Sequence, residues 1–237
     1  NVQAEIKEDG GKASWFALDI RDEAAVIAAV TQMVADGPID GLVNNAGGQF
    51  PAPLTAISAS GFDAVVRTNL TGGFLMSREV VKQSMAEHGG NIVNIIADMW
   101  GGMPGMGHSG AARAGMMNFT MTAATEWAPF GVRVNAVAPG WIASSGLDRY
   151  EGAAKELIPE LKVKVPLKRL GTEAEVSSAV CFLLSEGAAF VTGATFQVDG
   201  GAPLNKPMWP TAPHDRSKSY DGFHRSITPS VLKTKDT

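Results

Sequence analysis

Residues 41–48, Gly41-Leu42-Val43-Asn44-Asn45-Ala46-Gly47-Gly48, pass from a short apolar run into a polar, glycine-rich loop. Such a run, bounded by turn residues, reads as a buried strand that ends at a binding edge. Glycine in the loop lets backbone approach a flat ligand closely. A turn after a strand explains the stretch equally well when it is taken alone, so its surroundings decide. Upstream, 13–18 is short and largely apolar, closes on Asp19 and reads as another strand, after which Asp22 caps an alanine-rich helix running to about Ala35. Downstream come a long helix over 60–87, a buried strand over 91–96, a helix over 109–127 and a strand over 133–138 that Pro139-Gly140 breaks. A helix over 173–185 and a short strand over 195–198 complete the series. Strands alternating with long helices, without hairpin signals, predict a doubly wound α/β domain whose parallel sheet is covered on both faces.

The bulk properties agree. The chain has 237 residues, 45% hydrophobic and 19% charged, which suits one compact domain, placed here at 1–201. A net charge of -4 supplies no electrostatic reason for a nucleic-acid or anionic-membrane partner. No apolar stretch reaches the roughly 20 residues of a membrane span, and no secretory leader is read. A single cysteine, Cys181, cannot form an internal disulfide and points to a reducing, cytoplasmic setting. It sits in the apolar run 179–184 and is expected in the core. No residues are assigned to a metal. Residues 202–237, rich in proline, lysine and histidine, are expected to form an extended tail laid over a neighbouring subunit. Apolar residues on more than one face of the two long helices predict a symmetric tetramer.

No Gly-x-x-x-Gly-x-Gly turn lies before Asp19, although phosphate-cradling βαβ units begin with one. A parallel sheet without its central strand would expose two long edges. The expectation is therefore that the sequence begins inside the domain and lacks the first β-α-β unit.

Six landmarks follow one another: Leu18-Asp19-Ile20, Asn44-Asn45-Ala46-Gly47, Thr68-Asn69-Leu70-Thr71-Gly72, Ile92-Val93-Asn94-Ile95, Asn135-Ala136-Val137-Ala138-Pro139-Gly140 and Val198-Asp199-Gly200-Gly201. In this order they resemble the short-chain dehydrogenase/reductase family over about residues 10–201. The resemblance implies a Rossmann-type fold and a nicotinamide cofactor, NADP(H) or NAD(H). It implies that Asp19 and Ile20 meet the adenine and that Asn45, Ala46 and Gly47 lie along the adenosine ribose. Pro139, Gly140, Ile142 and Ser144 would flank the nicotinamide, and Asn69 would kink the long helix and hold a catalytic water.

The departures from the family pattern matter more. The family's serine at the end of the strand carrying Ile96 is Ala97 here, and its tyrosine and lysine, four residues apart, are Ser109 and Arg113. An i, i+4 pair shares one helix face, so both side chains should still face the pocket. A tyrosine beside a lysine can take a proton from an alcohol, whereas a serine hydroxyl has no comparable acidity and arginine stays charged. Ser109 can, however, donate a hydrogen bond, which is what reduction of a conjugated thioester needs at its developing oxyanion. Arg113 would hold the nicotinamide ribose and add positive potential.

The string His108-Ser109-Gly110-Ala111-Ala112-Arg113-Ala114-Gly115 resembles the peroxisomal trans-2-enoyl-CoA reductases and the related 2,4-dienoyl-CoA reductases. Ala46-Gly47-Gly48-Gln49-Phe50-Pro51 and the run 176–184 add to this likeness. It implies reduction of an α,β-unsaturated acyl-CoA. The dienoyl enzymes' acid, a tyrosine on the fifth strand, has Asp98 as its nearest counterpart. Asp98 reads as an acid or as a turn cap, and His108 as a proton shuttle or a solvent-facing loop residue. Lys155, Lys162, Lys164, Lys168 and Arg169 suit coenzyme A phosphates or a solvated helix equally. Two further readings stand: an alcohol or aldehyde dehydrogenase of long or terpenoid substrates such as citronellol, with His108 or Asp98 as base, and a non-catalytic binding protein.

Overall fold

In a computed structural model, residues 2–205, 208 and 211–233 are described. Strands β1 (Gly41–Asn44), β2 (Gly90–Ile95), β3 (Val132–Pro139) and β4 (Thr195–Val198) form one sheet in that order, and every pair is parallel. The register sets Leu42 opposite Ile92 and Ile92 opposite Val134. The β-branched residues of β2 and β3 fit a sheet buried on both faces.

Side chains alternate across that sheet. Ile92, Val132 and Val134 face one side, where they pack with Val26 and Val30 of helix α2 (Glu23–Val34). Leu75, Val80 and Met85, from a long helix α3 spanning 59–88, complete that cluster with Ala123 and Ala124 of α4 (Gly107–Glu126). Val93 and Val137 face the other side, against Leu183 of α5 (Glu173–Leu184). A short helix α1 (Val2–Glu8) precedes these elements. Helix α2 starts where the Asp22 side chain accepts from the Ala25 amide, and α5 starts with a capping box between Thr172 and Glu175. Among the described residues, no helix is long and apolar enough to cross a membrane.

A buried polar row crosses the sheet. The Asn44 amide donates to Ser77 Oγ and to Asn94 Oδ1, and the Asn94 amide donates to Thr120 Oγ1. Each member has a partner, so burial carries no unsatisfied group, and the row ties β1, β2, α3 and α4 together beneath the strand ends.

Several expectations are corrected. Residues 13–18 are not a strand: no neighbour supplies a hydrogen-bond ladder, and Leu18 and Ile20 merely pack against the first core cluster. Cys181 is exposed, because α5 turns Ala174 and Leu183 inward and leaves Cys181 and Phe182 outside. Helix α4 begins at Gly107, two residues early, so His108 is a fully buried helical residue instead of a loop histidine. Separately, the described part of the tail bonds to its own chain. Tyr220 N donates to Glu175, Arg169 donates to Ser217 Oγ and Lys218 O, and Arg225 pairs with Glu8 and Asp9. Arg169 is thereby committed, since it also pairs with Glu175 at 2.6 Å.

Candidate active site

The carboxyl ends of β1, β2 and β3 carry the loops that form the site, as parallel sheets generally arrange it. Helix α3 changes register there. Its turns over Arg67–Thr71 are π-helical, which swings Asn69 inward until it is 2% exposed. Asn69 then clamps the loop after β1, accepting from Gly48 N at 2.8 Å and donating to Gly48 O at 2.9 Å.

From α4, Arg113 enters beneath the same loop. Its Nη1 donates to Ile95 O at 2.7 Å, and its Nη2 lies under Gly47. A methyl group on Gly47 would come within 2.5 Å of that nitrogen and 2.9 Å of Asn69 Oδ1, so any side chain there would force Arg113 or Asn69 to shift. Burial pulls the Arg113 pKa below the ordinary arginine value, and its Nε has no hydrogen-bond partner. An orphaned, buried cationic donor at a strand end, under a loop without a Cβ, is suited to the hydroxyls of a ribose. The residues present therefore fit the nicotinamide half of a dinucleotide. Pro139 and Gly140 end β3, where a Cβ on Gly140 would strike the Asp199 backbone. Ile142 and Ser144 follow, half-buried.

Ser109 occupies the helix position one turn before Arg113 and is completely buried. Its hydroxyl donates to Gln49 Oε1 at 2.7 Å. Gln49, not Ser109, lines the adjoining cavity of about 470 Å³, with Gly47, Gly48, Phe50, Arg113, Arg149 and Tyr150. The expected serine thus stands one layer back. With its oxygen taken up by Ser109, Gln49 has amide N–H groups to offer.

Asn69, Gly47, Ser109 and Arg113 come together around the loop after β1. Three other residues do not join them. Asp98 is half-buried beside Asp199; burial, then the Asp199 charge, raise its pKa, against a hydrogen bond from the Trp100 amide. His108 accepts from Ser109 N at Nδ1, stacks edge-on against Phe50 with centroids 4.5 Å apart, and leaves Nε2 unpaired, off the cavity wall. Asp19 lies exposed in a separate hollow with Asp63, Arg67 and Thr71. There Arg21 grips it with both a side-chain and a backbone bond and lowers its pKa to about 2. Ile20 packs on Gly72, while Asn45 and Ala46 are exposed at the end of β1. Met116 is buried core, with Met99 and Met117 packed against its cluster. Gln49 and Tyr150 were not singled out from sequence. The usable signal was scarcity: the chain has only two tyrosines, and neither stands on α4.

The parallel sheet and the strand-end site define a short-chain dehydrogenase/reductase. Residues 1–203 match the family model described as enoyl-(acyl carrier protein) reductase, and the chain belongs to this family of nicotinamide-dependent oxidoreductases. Its relatives include a probable 2,4-dienoyl-CoA reductase of Bacillus subtilis, 35% identical over 86% of this chain and 82% of that protein. A solved structure of a citronellol catabolism dehydrogenase from Pseudomonas aeruginosa is 60% identical, with a TM-score of 0.74, covering 84% of this chain and 77% of its own. A gluconate 5-dehydrogenase from Burkholderia cenocepacia, solved with NADP and tartrate, is 30% identical, with a TM-score of 0.77, covering 86% and 80%.

Proposed function

We propose that this oxidoreductase reduces an α,β-unsaturated acyl thioester, of the trans-2-enoyl-CoA or 2,4-dienoyl-CoA type. One observation carries the reading: where the family places its tyrosine, Ser109 donates to Gln49, so that position offers hydrogen-bond donors and no proton acceptor. Oxidising an alcohol requires a group that takes a proton. Reducing a conjugated thioester requires donors aimed at the oxygen on which charge develops. Gln49, held by Ser109, supplies such donors, and Arg113 supplies positive potential behind them. A reduced nicotinamide, when bound, would provide the hydride for the far carbon of the conjugated system. Asn69 fixes the loop that meets its ribose, and Arg113 offers Nε there. The dienoyl-CoA reductases among the relatives support this substrate class.

A second reading, a dehydrogenase of terpenoid alcohols or aldehydes, is favoured by the 60% identity with the citronellol enzyme. It needs a base, and the carboxylate expected for that role, Asp98, lies beside Asp199 instead of on the cavity wall. The experiment is an assay of purified protein with NADH and NADPH against crotonyl-type thioesters and citronellal, with Ser109→Ala in parallel. We expect thioester turnover, lowered in the variant because Gln49 loses the hydroxyl that orients it, by up to the roughly 10- to 1,000-fold that a lost oxyanion donor costs. Turnover of citronellal alone would favour the second reading, and turnover of neither would leave a binding role. We further propose a homotetramer, for which the exposed Phe182 and Phe190 beside β4 supply apolar surface.

A further inference from the structure

The proposed reduction leaves a carbanion equivalent at the α-carbon, and a proton must reach it. Neither residue expected from sequence is placed for that, since Asp98 lies by Asp199 and His108 is sealed behind Phe50. The cavity wall itself holds one phenol. Tyr150 lines the cavity together with Gln49 and Arg113. It follows a short helical turn, Ser145–Arg149, and its amide donates to Leu147 O.

That turn is anchored from behind. The Asp148 carboxylate accepts from Ser230 N at 3.0 Å, Ser230 Oγ at 2.7 Å and Val231 N at 2.9 Å. These bonds lower its pKa, the Ser230 hydroxyl most, so the anchor stays ionised at neutral pH. The C-terminal tail therefore fixes the residues on which Arg149 and Tyr150 stand. Two guanidinium groups, Arg113 and Arg149, line the same cavity.

From this we infer that Tyr150 is the proton donor of the reaction: the phenol absent from α4 is supplied by the loop at 145–150 facing Gln49 and Arg113. The inference rests on the enoyl thioester reading. After hydride arrives at the β-carbon, the C=C electron pair moves into the thioester as an enolate, whose oxygen Gln49 holds. The Tyr150 O–H bond then breaks as the new C–H bond forms at the α-carbon. The resulting phenolate regains a proton from solvent at the cavity mouth.

The test compares wild type, Tyr150→Phe and a control, Tyr220→Phe, whose ring lies on the tail. Tyr150→Phe removes one oxygen from a half-buried ring, so folding is retained. Two readouts are used. The first is reduction of crotonyl-CoA, with citronellal as second substrate. The second needs no nicotinamide: acetoacetyl-CoA, whose enolate absorbs in the near ultraviolet, is titrated into the protein alone. We expect Tyr150→Phe to lower turnover at least about 100-fold, within the range of general acid catalysis, while the enolate spectral shift, which reports the contacts holding the enolate oxygen, is kept, with Tyr220→Phe unchanged in both. Tyr150→Phe with wild-type turnover, or with the shift lost, overturns the inference and leaves the thioester reading standing. Wild-type reduction of citronellal alone, lost in Tyr150→Phe, overturns the thioester reading and keeps Tyr150 as donor. A wild type that reduces neither substrate overturns both.

Discussion

Replacing Gly47 by alanine tests the packing that creates the site. The new methyl would lie 2.5 Å from Arg113 Nη2 and 2.9 Å from Asn69 Oδ1. Neither neighbour yields freely. Arg113 is bound to Ile95 O at 2.7 Å, and Asn69 is bonded twice to Gly48. Either the clash is absorbed as overpacking, about 1–3 kcal/mol, or the arginine bond breaks, about 1.5–3 kcal/mol for a charged hydrogen bond. These are alternatives, so the expected cost is about 1–3 kcal/mol. In a domain of this size that lowers the melting temperature by about 2–12 °C, and nicotinamide binding should weaken because Arg113 is displaced. The next residue is the control. A methyl on Gly48 meets nothing within 4 Å, and neither glycine has the left-handed backbone that penalises alanine. Gly48→Ala should be neutral or up to about 1 kcal/mol more stable. Thermal melts followed by circular dichroism, with dinucleotide titration by fluorescence, measure both variants. If Gly47→Ala melts with wild type and binds dinucleotide equally well, Arg113 is not wedged under that loop and the account of the site fails.

Two further outcomes follow from the same packing. Asp98 has a pKa raised by burial and by Asp199, so its charged form is disfavoured in the fold. That cost is absent below the unfolded pKa and complete above the folded one. Asp98→Asn should therefore raise the melting temperature at neutral pH, by less than about 1 kcal/mol equivalent for a partly exposed group, and the gain should vanish as the medium is acidified; a pH-independent gain would contradict this. Sedimentation equilibrium at micromolar concentration should give four times the mass of the chain, and a monomer would remove the tetramer.

Much of the fold was legible without coordinates because a buried parallel sheet writes its pattern locally. Ile92, Val93, Ile95 and Ile96 put apolar side chains on both faces, Asn44 to Gly48 marks a strand end, and Asp22 announces the helix it caps. The spacing of Ser109 and Arg113 likewise placed them on one helix face, and the long helix does change register at Asn69. What depends on a distant partner was not legible. Residues 13–18 look like a strand, yet strand structure is a property of a pair, and among the described residues no neighbour completes the ladder. Cys181 lies in an apolar run, but a helix buries one stripe, and its rotation against the sheet turned that residue outward. His108 exchanged its loop for the first turn of α4 and a place behind Phe50. Ser109 proved to sit behind Gln49, sixty residues earlier in the chain. Tyr150 gained its meaning from Asp148 and a tail residue, Ser230, eighty-two positions away. Sequence alone determined which segments form the layers, because periodicity and capping are short-range chemistry. Only the tertiary structure decided which side chains share the cavity, because that depends on how those layers meet.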